Sequence, residues 1–368
     1  MASKILVIGA GISGLTLAEQ FAKNNKVTLV EQRNHLGGNC YDFTNQAGIL
    51  IHKYGPHIFH TDFPDVWQYL SRFTKWTNYQ HKVLGYFDGQ FAPIPFNLNS
   101  LKILYPQSQA DLLAEKLIKK VGLNQKVPIL DFLKAKDQDL KNLAQFVYDK
   151  VFLEYTQKQW GLKPSQIDPS VTARVPIYVS RDNSWFQDKY QGMPKEGFAR
   201  LFEKMVDNKN IEVKLNTNYH KIKNKIKPDL VFYTGALDRF FNFKYGKLDY
   251  RFLRILFRTY PKKVFQPAAV VNYPSLKFPF TRITEYKKLT RQIHKKTTVG
   301  REYPGQTGFM AYPVNNLKNQ KKLKKYQKEI NKLKKQKIYF VGRLAQFKYF
   351  NMDQAVKNSL DIYKQTTK

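Results

Sequence analysis

The sequence predicts an α/β protein: a parallel strand-helix-strand unit opens the chain, a helical stretch interrupts it, and strands of a second sheet follow. Three observations predict this. The opening reads KILVIG, GAGISG, LTLAEQFAKN, KVTLVEQ: an apolar run, a glycine turn, a helical period and a second apolar run. Between about residues 98 and 163 the apolar positions recur mostly at helical spacing. Beyond residue 250, RFLRILFRTY, AAVVNYP and FTRITEYKKL read as strands of another sheet.

The opening unit carries a ligand signature. Gly9, Gly11 and Gly14 give G-x-G-x-x-G between strand and helix, and Glu31 ends the second strand. Such glycines permit the tight turn, the approach of a pyrophosphate to backbone N–H groups, and close packing of helix on strand. Glu31 would accept hydrogen bonds from an adenosine ribose. QRNHLGGNC follows, an arginine and a glycine pair just beyond the acid. That continuation occurs in two-dinucleotide-binding flavoproteins and favours FAD over NAD; a plain turn is the alternative reading of Gly37 and Gly38.

Further along, KVLGYFDGQFAPIPF is strand-like. SLKILYP, QADLLAEKLIKKVG, PILDFLKAK and DLKNLAQFVYDKVFLEYTQKQW follow as helices. GLKPSQIDPSVTARVPIYVSRDNSWF, rich in Pro, Ser and Asp, reads as a long irregular loop, and such loops are often lids. GFARLFEKMVDN returns to helix and DLVFYTG to a buried strand. IYFVGR is a late strand ending in Gly342-Arg343, ahead of a helix near Gln354 to Tyr363. Flavoproteins of this kind close over the FAD diphosphate at such a junction. No internal repeat is evident.

Composition bounds the rest. With 368 residues, 42% hydrophobic and 15% aromatic, the chain can bury a substantial core. The single cysteine, Cys40, excludes an internal disulfide framework and fits a reducing compartment. ILVIGAGISGLTLA is too short to span a bilayer, so a cytoplasmic protein is expected. The formal charge of +34 invites nucleic acid, but no zinc finger, RNP signature or helix-turn-helix pattern accompanies it, and nucleic acid is not expected as a partner. Much of the charge lies in NLKNQKKLKKYQKEINKLKKQK, a basic amphipathic helix. Its expected role is a solvated surface, with weak contact to an anionic membrane surface as the secondary expectation.

IHKYGPHIFHT holds three of the seven histidines, His52, His57 and His60. Clustered imidazoles suggest a metal, yet the Gly-Pro pair breaks any helix that would align two of them, and no metal site is expected. Hydrogen-bonded loop histidines are the bland alternative.

Read together and in order, HKYGPHIFHT, EYTQKQWG, RVPIYVSRDNSWF, YQGMP, YTGALDRFFNFKYGKLDYR, PFTRITEY, MAYPVNN and VGRLAQFKYFNMDQ resemble the bacterial UDP-galactopyranose mutases over nearly the whole chain. The resemblance implies a Rossmann-like FAD-binding domain with an inserted helical domain and an antiparallel β-sheet domain. It divides the chain into an FAD-binding domain of 1–80, 190–240 and 335–368, a helical domain of 98–163 followed by a mobile loop of 164–186, and a substrate domain of 81–97 and 241–320. The implied activity is a redox-neutral isomerisation of UDP-galactopyranose and UDP-galactofuranose, with reduced FAD as nucleophile through N5, supplying galactofuranose for surface polysaccharide. NAD(P)H or another reductant for the flavin, and a homodimer, are implied with it.

The resemblance also implies roles. Arg174 and Arg282 would stabilise the departing diphosphate. His60 would lie near the reactive flavin edge, with His57 beside the cofactor. Tyr155 and Trp160 match the uridine-stacking and sugar-site aromatics, with Phe152, Trp185 and Phe186 nearby. Tyr312, Tyr349 and Asn351 fall on the substrate side. Gly9, Gly11, Gly14, Glu31, Gly38, Asn39, Arg251, Gly342, Arg343 and Met352 would hold FAD.

The chain departs from the family pattern at Tyr178, where the mobile loop usually has a second arginine, at Ala311, often a tyrosine, and at Asn351, usually an aspartate. These positions bear on sugar identity. A mutase for a dTDP-6-deoxyhexose or UDP-N-acetylgalactosamine, a flavin oxidase, and a catalytically weakened flavoprotein binding module are the rival expectations.

Overall fold

A computed structural model describes residues 2–161 and 176–367, apart from the side chain of Trp160. The chain forms two compact units, one of Met1–Tyr79, Asp188–Arg251 and Met310–Lys368, the other of Gln80–Gln187 and Phe252–Phe309.

In the first unit a parallel sheet runs in the order Ile211–Lys214, Lys26–Val30, Lys4–Ile8, Leu230–Tyr233, Ile338–Phe340. Its central strand, KILVI, is buried after the first residue, as expected of a strand covered on both faces. Helix Ile12–Phe21 packs on that sheet through Phe21, whose ring lies 5.0 Å from Phe232 and 4.9 Å from Tyr363 of the terminal helix Met352–Thr366. A smaller sheet pairs Phe59–Thr61, Tyr190–Pro194 and Trp76–Thr77, and an aromatic file crosses it: Trp67 lies 4.7 Å from Trp76 and 5.2 Å from Tyr190. Asp42 receives the N–H groups of Phe198 and Ala199, both at 2.7 Å, and so closes the start of helix Phe198–Val206.

In the second unit strands run in the order Tyr250–Tyr260, Thr297–Gly305, Arg282–Glu285, Val270–Asn272, Val83–Phe87, Gln90–Ile94. These junctions are antiparallel except one: Val270–Asn272 lies parallel to Val83–Phe87. The sequence reading made this sheet wholly antiparallel. It also extended the strand FTRITEYKKL too far, since Tyr286–Thr290 is helical. Within the described part of the expected loop, Ile177–Tyr178 pairs with Lys126–Val127.

Where three domains were expected, the chain groups into two compact units. Val83, Ile94 and Val270 of the sheet share one apolar core with Leu113, Leu140 and Val147 of the helices, so helices and sheet fold as one body. Residues 241–251 and 310–320, read as part of the sheet domain, belong to the first unit. There Asp238 accepts from the Leu248 N–H at 2.9 Å, and Tyr326 of the lysine helix Leu317–Lys334 is fully buried, donating to the Gly246 carbonyl at 2.8 Å. The lysines of that helix are mainly solvated, as its period predicts. Among the described residues no helix is long and apolar enough to cross a membrane.

Phe21→Ala removes a buried ring between two aromatic partners and should lower the unfolding free energy by about 3 to 5 kcal/mol, read from urea denaturation.

Candidate functional site

The first unit contains a cleft of about 280 Å³ at the carboxyl ends of its central strands. The turn from strand Lys4–Ile8 to helix Ile12–Phe21 forms its floor, and the packing there is absolute. A Cβ on Gly14 would lie 1.9 Å from the Gly9 carbonyl oxygen, and one on Gly9 would lie 2.2 Å from Thr234 Oγ1. Gly11 differs: a Cβ there would meet nothing within 4 Å, because that face opens on the cleft. A glycine-walled space at a helix N-terminus suits an anion.

Glu31 lies buried at the end of its strand. Its Oε2 accepts from the Ala10 N–H at 2.8 Å and its Oε1 from the Arg33 N–H at 2.9 Å. Two backbone donors fix the carboxylate while each oxygen keeps lone-pair capacity toward the cleft. Arg33 donates from both Nη atoms to Asn39 Oδ1 at 3.1 and 3.0 Å and stacks on Tyr54, and Asn39 Nδ2 donates to the Met310 carbonyl at 2.9 Å.

On the far wall, Gly342 and Arg343 follow strand Ile338–Phe340. The Arg343 guanidinium donates to the carbonyls of Phe350 and Ala311, and lies 5.5 Å from the Tyr312 ring and 4.9 Å from the Tyr349 ring. Those tyrosines stack at 5.7 Å. Asn351 and Met352 begin the terminal helix on the same wall, where the Asn351 N–H donates to Gln354 Oε1 at 3.0 Å. Amide for carboxylate at Asn351 removes a negative charge from a wall that holds Arg343.

The three histidines turn to different partners. His52 Nδ1 accepts the backbone N–H of His57 at 3.0 Å, while His57 Nδ1 lies 2.9 Å from the Gly55 carbonyl. Burial pulls His52 down to about 3, helped by His57. Burial likewise pulls His57 down to about 4, with the Arg343 charge adding to it, so both rings are neutral near pH 7. His57 reaches the cleft wall. His60 lies on strand Phe59–Thr61, with Nδ1 3.0 Å from Asp188 Oδ1. Among the described residues no group of three or more His, Cys, Asp or Glu side chains could hold a metal.

In the second unit Arg282 opens a strand beside the buried Glu302, with Nε to Oε1 at 3.2 Å, and its Nη2 donates to the Tyr155 hydroxyl at 3.1 Å. Tyr155 lies on helix Glu154–Trp160, which continues a wide-turned π-helical segment, Tyr148–Leu153. Phe152 of that segment is buried 5.7 Å from Tyr148. Trp185 packs against the apolar core of this unit and meets Phe186 edge-on.

Of the residues expected from sequence, Gly9, Gly11, Glu31, Gly38, Asn39, His57, Gly342, Arg343 and Met352 share the cleft, together with Asn351. Gly14 packs beneath it. Arg251 is buried at the start of strand Tyr250–Tyr260, where burial lowers its guanidinium, and it is not part of the cleft wall. Arg174 and the Trp160 side chain lie outside the described residues. Sequence reasoning missed Thr217–His220 and Arg239, which also line the cleft. Arg33, also on the wall and given no role from sequence, did have a signal in its place before the glycine pair.

Comparison with known proteins gives the following. The family described as UDP-galactopyranose mutase matches residues 150–349, and an NAD(P)-binding Rossmann-like domain matches residues 7–73. A UDP-galactopyranose mutase of Mycoplasma genitalium is 35% identical over 97% of this chain and 93% of its own length. A dTDP-fucopyranose mutase of Escherichia coli is 32% identical over 98% of this chain and 97% of its own. The crystal structure of a reduced UDP-galactopyranose mutase superposes with a TM-score of 0.73 at 14% identity, covering 100% of this chain and 94% of that one, which shows the shared fold.

Two predictions follow from the cleft. Gly11 has φ −73°, open to any residue, so Gly11→Val should fold yet lose bound dinucleotide, while Gly14→Ala should lower the melting temperature through its clash with Gly9. Absorbance of the bound cofactor and thermal melting of each variant read these effects. For the histidines, the unfolded chain takes up protons near pH 6.5 that the folded chain refuses until about 4 at His57. Their contribution is therefore complete above 6.5 and is lost as pH falls toward 4, on the order of 3 kcal/mol for His57. Urea midpoints of His57→Gln should fall less steeply than those of the parent over that interval.

Proposed function

We infer the reaction from kinship: this chain belongs to the UDP-galactopyranose mutase family, and it interconverts UDP-galactopyranose and UDP-galactofuranose using FAD in its reduced form. The cleft of the first unit carries the reading. Its glycine floor suits a diphosphate and Glu31 suits a ribose, and the space facing Gly11 is what such a group would fill. The one thiol on its wall, Cys40, is pushed up to about 12 by burial and is no nucleophile near pH 7. The nucleophile in this reading follows from the family: reduced FAD, when bound, would supply it at N5.

The side chains bind, orient and neutralise. Gly9, Gly11 and Gly14 let the helix N-terminus meet the FAD diphosphate, with Gly38, Asn39, Gly342, Arg343 and Met352 completing the hold. Carbonyls and tyrosine rings orient Arg343 without cancelling its charge. Arg282 and Arg174 are assigned to the diphosphate of the nucleotide-sugar, whose charge grows as its bond to the sugar breaks; each charge-assisted contact would contribute about 1.5 to 3 kcal/mol. Tyr155 and Trp160 are assigned to uridine and sugar, and Phe152, Trp185, Phe186, Tyr312, Tyr349 and Asn351 to substrate binding. His60, held through Nδ1 by Asp188, serves the reactive edge, while neutral His57 only orients. The proposal extends to a homodimer in the cytoplasm, with NAD(P)H or another reductant maintaining the flavin, and to weak contact of the lysine helix with anionic membrane.

Anaerobic reduction with dithionite, addition of UDP-galactofuranose and chromatography of the products test the reading. Conversion confined to the reduced enzyme is expected; none, with flavin bound and reducible, rejects it. Arg282→Ala should lower kcat/KM roughly 10- to 100-fold with flavin content unchanged. Undiminished turnover in His60→Ala would remove His60 from the reaction. The second reading is dTDP-fucopyranose as substrate, favoured by the Escherichia coli relative and by Ala311 and Asn351. Parallel assays with both nucleotide-sugars decide between them.

A further inference from the structure

In the second unit, residues 273–280 join strand Val270–Asn272 to strand Arg282–Glu285. Their carbonyl oxygens converge on one side chain. Lys158 Nζ donates to the carbonyls of Tyr273, Ser275 at 2.8 Å, Phe278 at 3.2 Å and Phe280 at 3.1 Å. Four carbonyl dipoles aimed at one point repel each other unless a cation sits there. Burial pulls the Lys158 amine down to about 8, yet these four oxygens only accept, so the ammonium with its three protons is the form that fits.

Two further ties join the same elements. Glu154, one turn before Lys158 on helix Glu154–Trp160, accepts the Leu276 N–H at 2.7 Å. Tyr155 of that helix accepts from Arg282, which begins two residues after Phe280. Helix and loop are therefore fastened as one piece, and Arg282 extends from its edge.

We propose that Lys158 is a positioning residue of the nucleotide-sugar site: its ammonium, seated among the carbonyls of 273–280, fixes the backbone from which Arg282 reaches the diphosphate and keeps Tyr155 beside it. This rests on the reading of Arg282 as a diphosphate ligand. Lys158 touches no substrate; it acts through Arg282.

The test measures the Kd of UDP by calorimetry on FAD-loaded enzyme in four forms: parent, Lys158→Met, Arg282→Ala and the double variant. Lys158→Met is expected to raise Kd at least 10-fold in the parent and less than 2-fold once Arg282 is gone, with flavin content unchanged. An equal rise in both backgrounds overturns the inference, because a merely structural role adds independently of Arg282. Unchanged affinity in Arg282→Ala alone overturns the diphosphate reading itself, and the inference with it. Chemical rescue gives a second readout: Lys158→Cys alkylated with 2-bromoethylamine regains an ammonium, and should return Kd to within about 3-fold of the parent, whereas methylthiolation should not. Cys40, the only native cysteine, is buried and leaves that chemistry selective. If Lys158→Met fails to fold, Lys158→Arg, with the charge kept and the donors displaced, is read in the same two backgrounds against the same two outcomes.

Discussion

The contact between Gly14 and the Gly9 carbonyl is the constraint on which the first unit depends. With no side chain between them, helix Ile12–Phe21 sits directly on strand Lys4–Ile8, and its N-terminal N–H groups face the cleft. The Ala10 N–H, in the same turn, is what anchors Glu31. Close packing, anion-binding geometry and placement of the acid thus follow from one steric requirement. A larger residue at either glycine would lift the helix and change all three.

Charge in the cleft is arranged with equal economy. Two groups near Arg343 are neutral near pH 7: burial keeps both His57 and Cys40 uncharged, with Arg343 adding to that at His57 and opposing it at Cys40. A guanidinium oriented by carbonyls and aromatic rings keeps its field for a ligand. The second unit uses the opposite device at Arg282, where Glu302 and Tyr155 fix the guanidinium and part of its charge is balanced before any ligand arrives.

What could be read from the sequence was what the chain encodes locally. Strand, glycine turn, helix and acid lie within the first 31 residues, and each has its own chemical reason, so the dinucleotide cleft was legible without the fold. Thr217–His220 were not, because that segment reaches the cleft only through strand Ile211–Lys214 pairing with Lys26–Val30, a contact nearly two hundred residues apart. Arg239 follows the same logic after strand Leu230–Tyr233. The parallel junction between Val270–Asn272 and Val83–Phe87 has no alternation that would distinguish it from an antiparallel one. The roles of Arg282 and Tyr155 came from resemblance, and their mutual hydrogen bond from neither pattern nor spacing. Even the histidine cluster, conspicuous in sequence, divided in space: His52 and His57 bond to each other while His60 turns to Asp188.

The wide-turned segment Tyr148–Leu153 has a bearing on how this chain can change over time. An extra residue inside a helix advances everything after it by about 100° around the axis and 1.5 Å along it. Glu154, Tyr155 and Lys158 follow directly, and the faces they present are set by that phase. Substitutions in the segment leave the phase intact, whereas gain or loss of a single codon would rotate all three together. Here the count of residues is itself the inherited information, and the segment should diverge in composition far more freely than in length.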